Sequence, residues 1–232
     1  MDLDLFIEEI KKLNIDVNDE KLEQLEKYYE LLIIWNKKIN LTAITEKKQV
    51  YLKHFYDSLT LVKVIDLKTI NNLCDIGTGA GFPGLVLKIF FPHIKLTLVD
   101  SLNKRINFLN EVIKKLNLNN VETIHIRAEE YSKNVREKYD VVTARAVSSF
   151  NKLLEFSIPL VKINKYFIAM RGIDDTQNDE RVLNILNCSK IKVENFKLPI
   201  EDSFRTIILI QKNSKTSKKY PRKFAEIKKR PL

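Results

Sequence analysis

The run Leu73-Cys74-Asp75-Ile76-Gly77-Thr78-Gly79-Ala80-Gly81-Phe82-Pro83-Gly84 limits the possible folds of this chain more than any other stretch. It reads as a buried strand, a glycine-rich turn and the start of a helix. Glycine adopts backbone angles that other residues avoid, and its missing side chain lets a ligand lie against the main chain. Free amides at the following helix start attract a carboxylate or phosphate. The next apolar run, Lys95-Leu96-Thr97-Leu98-Val99, closes on Asp100. A carboxylate at that spacing after such a turn typically holds a pair of ribose hydroxyls. The unit is therefore expected to bind an adenosine-containing cofactor.

Two cofactor patterns compete over the same glycines. Gly77, Gly79 and Gly81 give G-x-G-x-G directly off the strand, as in enzymes that use S-adenosyl-L-methionine. Gly79, Gly81 and Gly84 give G-x-G-x-x-G, the dinucleotide fingerprint. That fingerprint should begin where the strand stops, which is Gly77. The second pattern also contains Pro83, which fixes φ and removes an amide. The strand context favours the methyl donor and leaves a nicotinamide-dependent oxidoreductase as the competing reading.

Around this unit the hydrophobic periodicity alternates. Residues 3–14 and 19–39 repeat at helical spacing, with Leu22, Leu25, Tyr28, Tyr29, Leu32 and Trp35 forming one stripe. Asp57-Ser58 is placed to cap a further helix running to about Ile65. Strand patterns follow at 72–76, 95–99, 121–126, 140–144 and 164–170. Helical ones lie between them at 83–91, 103–116, about 130–137, about 149–160 and about 178–187. Ile191–Phe196 and Arg205–Gln211 read as a final pair of strands. Such alternation predicts an α/β fold with a mostly parallel sheet between helical layers. A closing antiparallel strand fits the Rossmann-like, seven-stranded sheet of class I S-adenosylmethionine-dependent methyltransferases. Three regions are expected: an N-terminal helical extension over 1–66, a core over 67–212 and a basic tail over 213–232.

At 232 residues the chain can bury a core of its own. No apolar stretch reaches membrane-spanning length, and the acidic, amphipathic start does not read as a secretory signal. Cys74 and Cys188 read as reduced core thiols, which points to a cytoplasmic location. His54, His93 and His125 lack metal-ligand spacing, so no metal is expected. Charge is unevenly placed. Residues 212–230 hold nine Lys or Arg and one acid, against a net charge of +10 for the whole chain. A basic segment of this kind suits a phosphate-rich partner. Tyr220 and Phe224 within it could stack on bases, which favours RNA over a merely solvated tail.

In an open parallel sheet, ligands bind beyond the carboxyl ends of the strands. Those ends are Gly77 to Gly81, Asp100, Arg127-Ala128-Glu129 and Arg145-Ala146. Glu129 and neighbouring amides are placed to read an adenine edge. Arg145 lies nearest the expected transfer point, as a ligand for an anion or base or as one half of a salt bridge. Phe82 is placed to pack on the cofactor or in the core. No cysteine is placed for a C5-pyrimidine acceptor, and the segment after the fourth strand, Ala144-Arg145-Ala146-Val147, lacks the Asn/Asp-Pro-Pro of exocyclic-amine enzymes. An acceptor with a free lone pair that loses no proton on methylation needs neither device. Lys165 is available for a ribose 2′-O reaction, although nothing singles it out. Lys104, Arg105, Arg171 and the tail are candidate RNA contacts.

Several segments together resemble the bacterial small-subunit rRNA guanine-N7 methyltransferases, the RsmG or glucose-inhibited division protein B family. They are Asn40-Leu41-Thr42-Ala43-Ile44-Thr45, His54-Phe55-Tyr56-Asp57-Ser58-Leu59, Asp75 through Gly84, Asp100-Ser101-Leu102 with Lys104-Arg105, Ala144-Arg145-Ala146, and the tail Tyr220-Pro221-Arg222-Lys223 with Lys229-Arg230-Pro231-Leu232. The resemblance covers nearly the whole chain. It implies that Gly77, Phe82, Ala128, Glu129 and Arg145 line an S-adenosyl-L-methionine site, joined by Gly79, Gly81 and Asp100 from the motif itself. It further implies guanine N7 in the 530-loop region of 16S rRNA as acceptor, on free RNA or a small-subunit particle. The tail departs from many relatives, having Ala225-Glu226-Ile227 where they have Gly-Thr-Pro. A different class, an RNA-binding module that keeps the fold without the chemistry, is also compatible with the basic tail.

Overall fold

The structure, a computed structural model, describes residues 1–145, 149–172 and 180–232. Helices α1 (Leu3–Lys12) and α2 (Asp19–Ile39) come first. A continuous helical run follows: α3 (Lys47–Val50), a π-helical turn (Tyr51–Tyr56), α4 (Asp57–Leu59) and a 3₁₀ turn (Thr60–Lys63). Next come β1 (Asn72–Ile76), α5 (Gly84–Phe90), β2 (Lys95–Asp100), α6 (Asn103–Lys115), β3 (Val121–His125), α7 (Ala128–Asn134), β4 (Tyr139–Arg145) and α8 (Phe150–Ser157). The chain continues with β5 (Val161–Arg171), α9 (Glu180–Ile185), β6 (Cys188–Lys197), β7 (Phe204–Lys212) and α10 (Phe224–Lys229).

The sheet has seven strands in the order β3-β2-β1-β4-β5-β7-β6. Strands β1 to β5 pair in parallel, while β7 runs antiparallel to both β5 and β6. The central strands are apolar on both faces, as expected of a parallel sheet covered twice. Alternation along β1 sends Leu73 into the core shared with α2, α5 and α6, and Cys74 into the core with α7 and α8. The N-terminal helices are part of the first core. Phe6, Leu25 and Tyr28 are fully buried and belong to the same cluster as Leu98 and Val141.

One predicted helix start is corrected. Asp57-Ser58 is no cap: the helical run begins ten residues earlier, at Lys47. Tyr51, Leu52, Phe55, Tyr56 and Leu59 are all buried. With almost every side covered, the segment shows no amphipathic period from which a start could be read. Ser58 donates instead to His54 O at 2.5 Å, and the Asp57 carboxylate is drawn into ion pairs. Strand β6 starts at Cys188, ahead of the expected Ile191. Ala146, Val147 and the first two residues of the predicted 178–187 helix lie outside the described residues.

The C-terminal segment is docked. Glu155 of α8 has no solvent exposure and accepts from Arg222 Nε at 2.8 Å, Arg222 Nη2 at 2.7 Å and the Arg222 amide at 2.9 Å. Arg136 donates to the carbonyls of Thr216 and Tyr220. Lys212, counted among the tail's charges, is wholly buried, its Nζ 3.4 Å from Glu137.

Candidate functional site

A cavity of about 680 Å³ opens at the carboxyl ends of β1 to β4, a usual place for a ligand in such a sheet. Its floor is the glycine turn. The chain leaves β1 with the Gly77 amide donating to Val99 O at 2.8 Å. Asp75 then ties the turn to the helix beyond it, its Oδ2 accepting from Thr78 Oγ1 at 2.7 Å and the Gly84 amide at 2.9 Å. Asp75 is fully buried, its Oδ1 has no hydrogen-bond partner among the described residues, and burial pushes the carboxyl up to about 7.

Gly77 and Gly79 line the cavity, and Gly79 holds φ +61° with open space beside it. Gly81 does not line it, contrary to expectation. A Cβ there would lie 2.5 Å from Tyr28 Oη and 2.7 Å from Leu85. The missing side chain serves close packing of α2 and α5 against the turn. The backbone holds Gly81 at φ +94°, where an L-residue is strained.

Asp100 lines the cavity and is nearly fully buried. Oδ1 accepts from the Leu102 amide at 2.9 Å, and Oδ2 from the Gly79 amide at 3.0 Å and Arg105 Nη1 at 3.2 Å. Three bonds fix the carboxylate without exhausting its roughly four acceptor positions. Beyond β3, Ala128 and Glu129 open α7 and line the same end. Glu129 is buried and accepts from Arg127 Nε.

The opposite end is built around Phe82 and Arg145. Phe82 lines the cavity and packs in the core, stacked on Tyr28, ring centroids 5.3 Å apart, and on His54, 4.5 Å apart. Tyr28 Oη donates to Ala80 O, which fixes the turn from below. Arg145, at the end of β4, forms the salt bridge of the second alternative. It lines the cavity, and its Nη1 donates to Lys53 O at 3.0 Å and Asp57 Oδ2 at 3.2 Å. Its guanidinium lies 5.3 Å from the Phe82 centroid. The other Asp57 oxygen accepts from Arg205 Nε at 3.0 Å.

Four contributors here are not among the site residues expected from the sequence: Thr42, His54, Asp57 and Arg205. Asn40 ends α2 in the left-handed conformation, φ +50°, a common helix stop for Asn. That turn delivers Leu41 and Thr42 to the cavity, with the Thr42 amide on Asn36 Oδ1 at 2.8 Å. Thr42 Oγ1 sits 3.0 Å from His54 Nε2. Burial, and next the Arg145 charge, push the His54 imidazole down to about 3, so it is neutral. Both residues lie in segments that carried the family resemblance, but no spacing tied them to Arg145. Phe224 and Lys228 of α10 line the Glu129 end, another feature local pattern did not disclose. Of the candidate RNA contacts, Lys104 is exposed while Arg105 turns into the cavity. Lys165 stands on β5 and is not among the cavity residues.

The sheet order, with antiparallel β7 inserted between β5 and β6 and a glycine-floored cavity at the strand ends, defines a class I S-adenosylmethionine-dependent methyltransferase fold. Solved structures agree at the level of fold. M. jannaschii TYW2 in complex with AdoMet superposes with a TM-score of 0.56 at 15% identity, over 73% of this chain and 79% of that one. MtNAS in complex with MTA and tNA gives a TM-score of 0.57 at 15% identity, over 81% and 74%. The sequence model of the GidB family, described as rRNA small subunit methyltransferase G, matches residues 21–204. The Bacillus licheniformis protein named ribosomal RNA small subunit methyltransferase G is 47% identical over 237 aligned positions, covering 100% of this chain and 99% of its own. Its namesake in Bacillus cytotoxicus matches to the same extent. The chain belongs to the GidB family.

Proposed function

We propose that this chain transfers a methyl group from S-adenosyl-L-methionine to N7 of a guanine in small-subunit ribosomal RNA. The observation that carries the reading is the polarity of the cavity. Two buried carboxylates, Asp100 and Glu129, stand at one end; a ring stack and a fixed guanidinium, Phe82, His54 and Arg145, stand at the other. The residues fit the methyl donor. Asp100 would hold the ribose hydroxyls, Ala128 and Glu129 the adenine edge, and the turn at Gly77 and Gly79 the amino-acid end. The donor, when bound, supplies an activated methyl on a sulfonium.

The Arg145 end is poor in bases. His54 is neutral at physiological pH but, held down to about 3, takes up a proton only weakly. Both Asp57 oxygens are engaged by arginines. Cys74 is buried within β1, where desolvation raises its thiol well above the ordinary range. Such a site suits an acceptor that gives up no proton, and guanine N7 is one. The chain's contribution is then alignment and exclusion of water, and alignment alone supplies up to about 7–11 kcal/mol in ideal cases. The antiparallel β7 weighs against the dinucleotide alternative, and the family's description against a module without chemistry.

Mass spectrometry of nucleosides from 16S rRNA tests the proposal. Deleting the gene should remove N7-methylguanosine, and the wild-type chain should restore it while a Gly79→Val chain should not. An unchanged N7-methylguanosine content in the deletion strain contradicts it.

A further inference from the structure

The basic C-terminal segment suggested an RNA contact when read from sequence, yet part of it faces the cavity. Its docking is specific: Arg222 is bidentate on the buried Glu155, Ile227 is buried, and Asn151 Nδ2 donates to Leu232 O at 2.9 Å. So anchored, α10 presents Phe224 and Lys228 to the cavity opposite the end of β3. Phe224 remains 44% exposed. The Arg127 guanidinium carbon lies 3.9 Å from its centroid, and Arg127 Nε in turn donates to Glu129. Ring, guanidinium and carboxylate therefore form one connected wall at a single end of the cavity.

The geometry points to Phe224 as a cofactor-binding residue: the tail helix closes the nucleoside end of the cavity, and its ring packs against the purine of the bound nucleoside. This rests on the cofactor reading above and adds the surface that reading lacked. A purine offers a flat π-face for the half-exposed ring and an exocyclic amine for the Glu129 carboxylate, so one wall serves both face and edge. An aromatic left partly in water beside an open cavity gains burial when a flat ligand arrives. The Arg222–Glu155 clamp fixes the helix that carries the ring and acts as a positioning device.

Calorimetric titration of the full-length chain with S-adenosylhomocysteine, without RNA, tests the assignment. Base–aromatic stacking removed by Phe224→Ala should weaken the dissociation constant by about tenfold to a hundredfold. Phe224→Leu should show most of that loss, since it keeps apolar bulk without a π-face, and Phe224→Tyr should retain affinity. Unliganded melting temperatures should stay together, because the ring is half-exposed. If the wild type binds and Phe224→Ala binds within about twofold of it, the inference is overturned. A variant that keeps S-adenosylhomocysteine affinity and loses only RNA affinity overturns it equally, making α10 an RNA contact. A wild type that takes up no S-adenosylhomocysteine overturns the cofactor reading itself, and this inference with it.

Discussion

Asp57 joins two arginines from distant strands, Arg145 on β4 and Arg205 on β7, through one buried carboxylate. Removing a buried partner leaves the remaining charges uncompensated, at a cost of about 3–5 kcal/mol. Asp57→Ala should therefore lower unfolding free energy by about that much in urea titration, and should cut methyl transfer by freeing Arg145. Asp57→Asn should fall between the two. Two other single residues set opposing pH responses. The Asp75 carboxyl is raised to about 7 in the folded chain, so the unfolded state ionises first. Between about pH 4 and 7 the native state holds the extra proton, and stability falls as pH rises. His54 is lowered to about 3, so the unfolded state protonates first. Between about pH 6.5 and 3 its contribution is lost as pH falls. The two slopes oppose each other over much of one window. Relative to wild type, Asp75→Asn should steepen the loss of stability towards acid, and His54→Asn should expose the loss towards neutral pH. Chemical denaturation at several pH values reads both; slopes that match wild type in both variants contradict the assignment.

At the scale of elements, the glycine turn divides into a ligand-facing part and a packing part. Gly79→Val fills open cavity space and strains a left-handed backbone at about 1–3 kcal/mol. It should abolish S-adenosylhomocysteine binding while the chain still folds. Gly81→Val instead drives a side chain into Tyr28 and Leu85, so its main effect should be on the melting temperature. Equal behaviour of the two variants contradicts the division. The turn was legible in sequence because strand, glycines and Asp100 lie within one short unit whose chemistry is local. Its internal division was not, since only α2 packing shows that Gly81 meets Tyr28. The 47–63 run was illegible for a related reason: a helix covered on nearly all sides carries no period, and Asp57-Ser58 imitates a cap. What Asp57 does is decided by two arginines far along the chain, and no local window contains them.

Across the whole molecule, the N-terminal helices, the sheet and the docked tail meet at one cavity. The layers and the closing pair of strands are legible in the alternation of the sequence, because each strand's apolar run reports its own burial. The tail's charge and interleaved aromatic residues do not reveal that Lys212 is buried or that Arg222 closes on Glu155. Arg222→Ala strands a carboxylate that has no solvent exposure. It should lower stability by about 3–5 kcal/mol in urea titration, more than any exposed tail lysine changed to Ala. Removing residues 213–232 should accordingly affect both fold stability and the salt dependence of RNA binding. The most direct measurement is diffraction from crystals of the full chain soaked in S-adenosylhomocysteine. The account predicts the nucleoside with its ribose hydroxyls on Asp100 and its purine edge at Ala128 and Glu129. A nucleoside bound elsewhere, with protein atoms occupying the space beside Gly77 and Gly79, would contradict it.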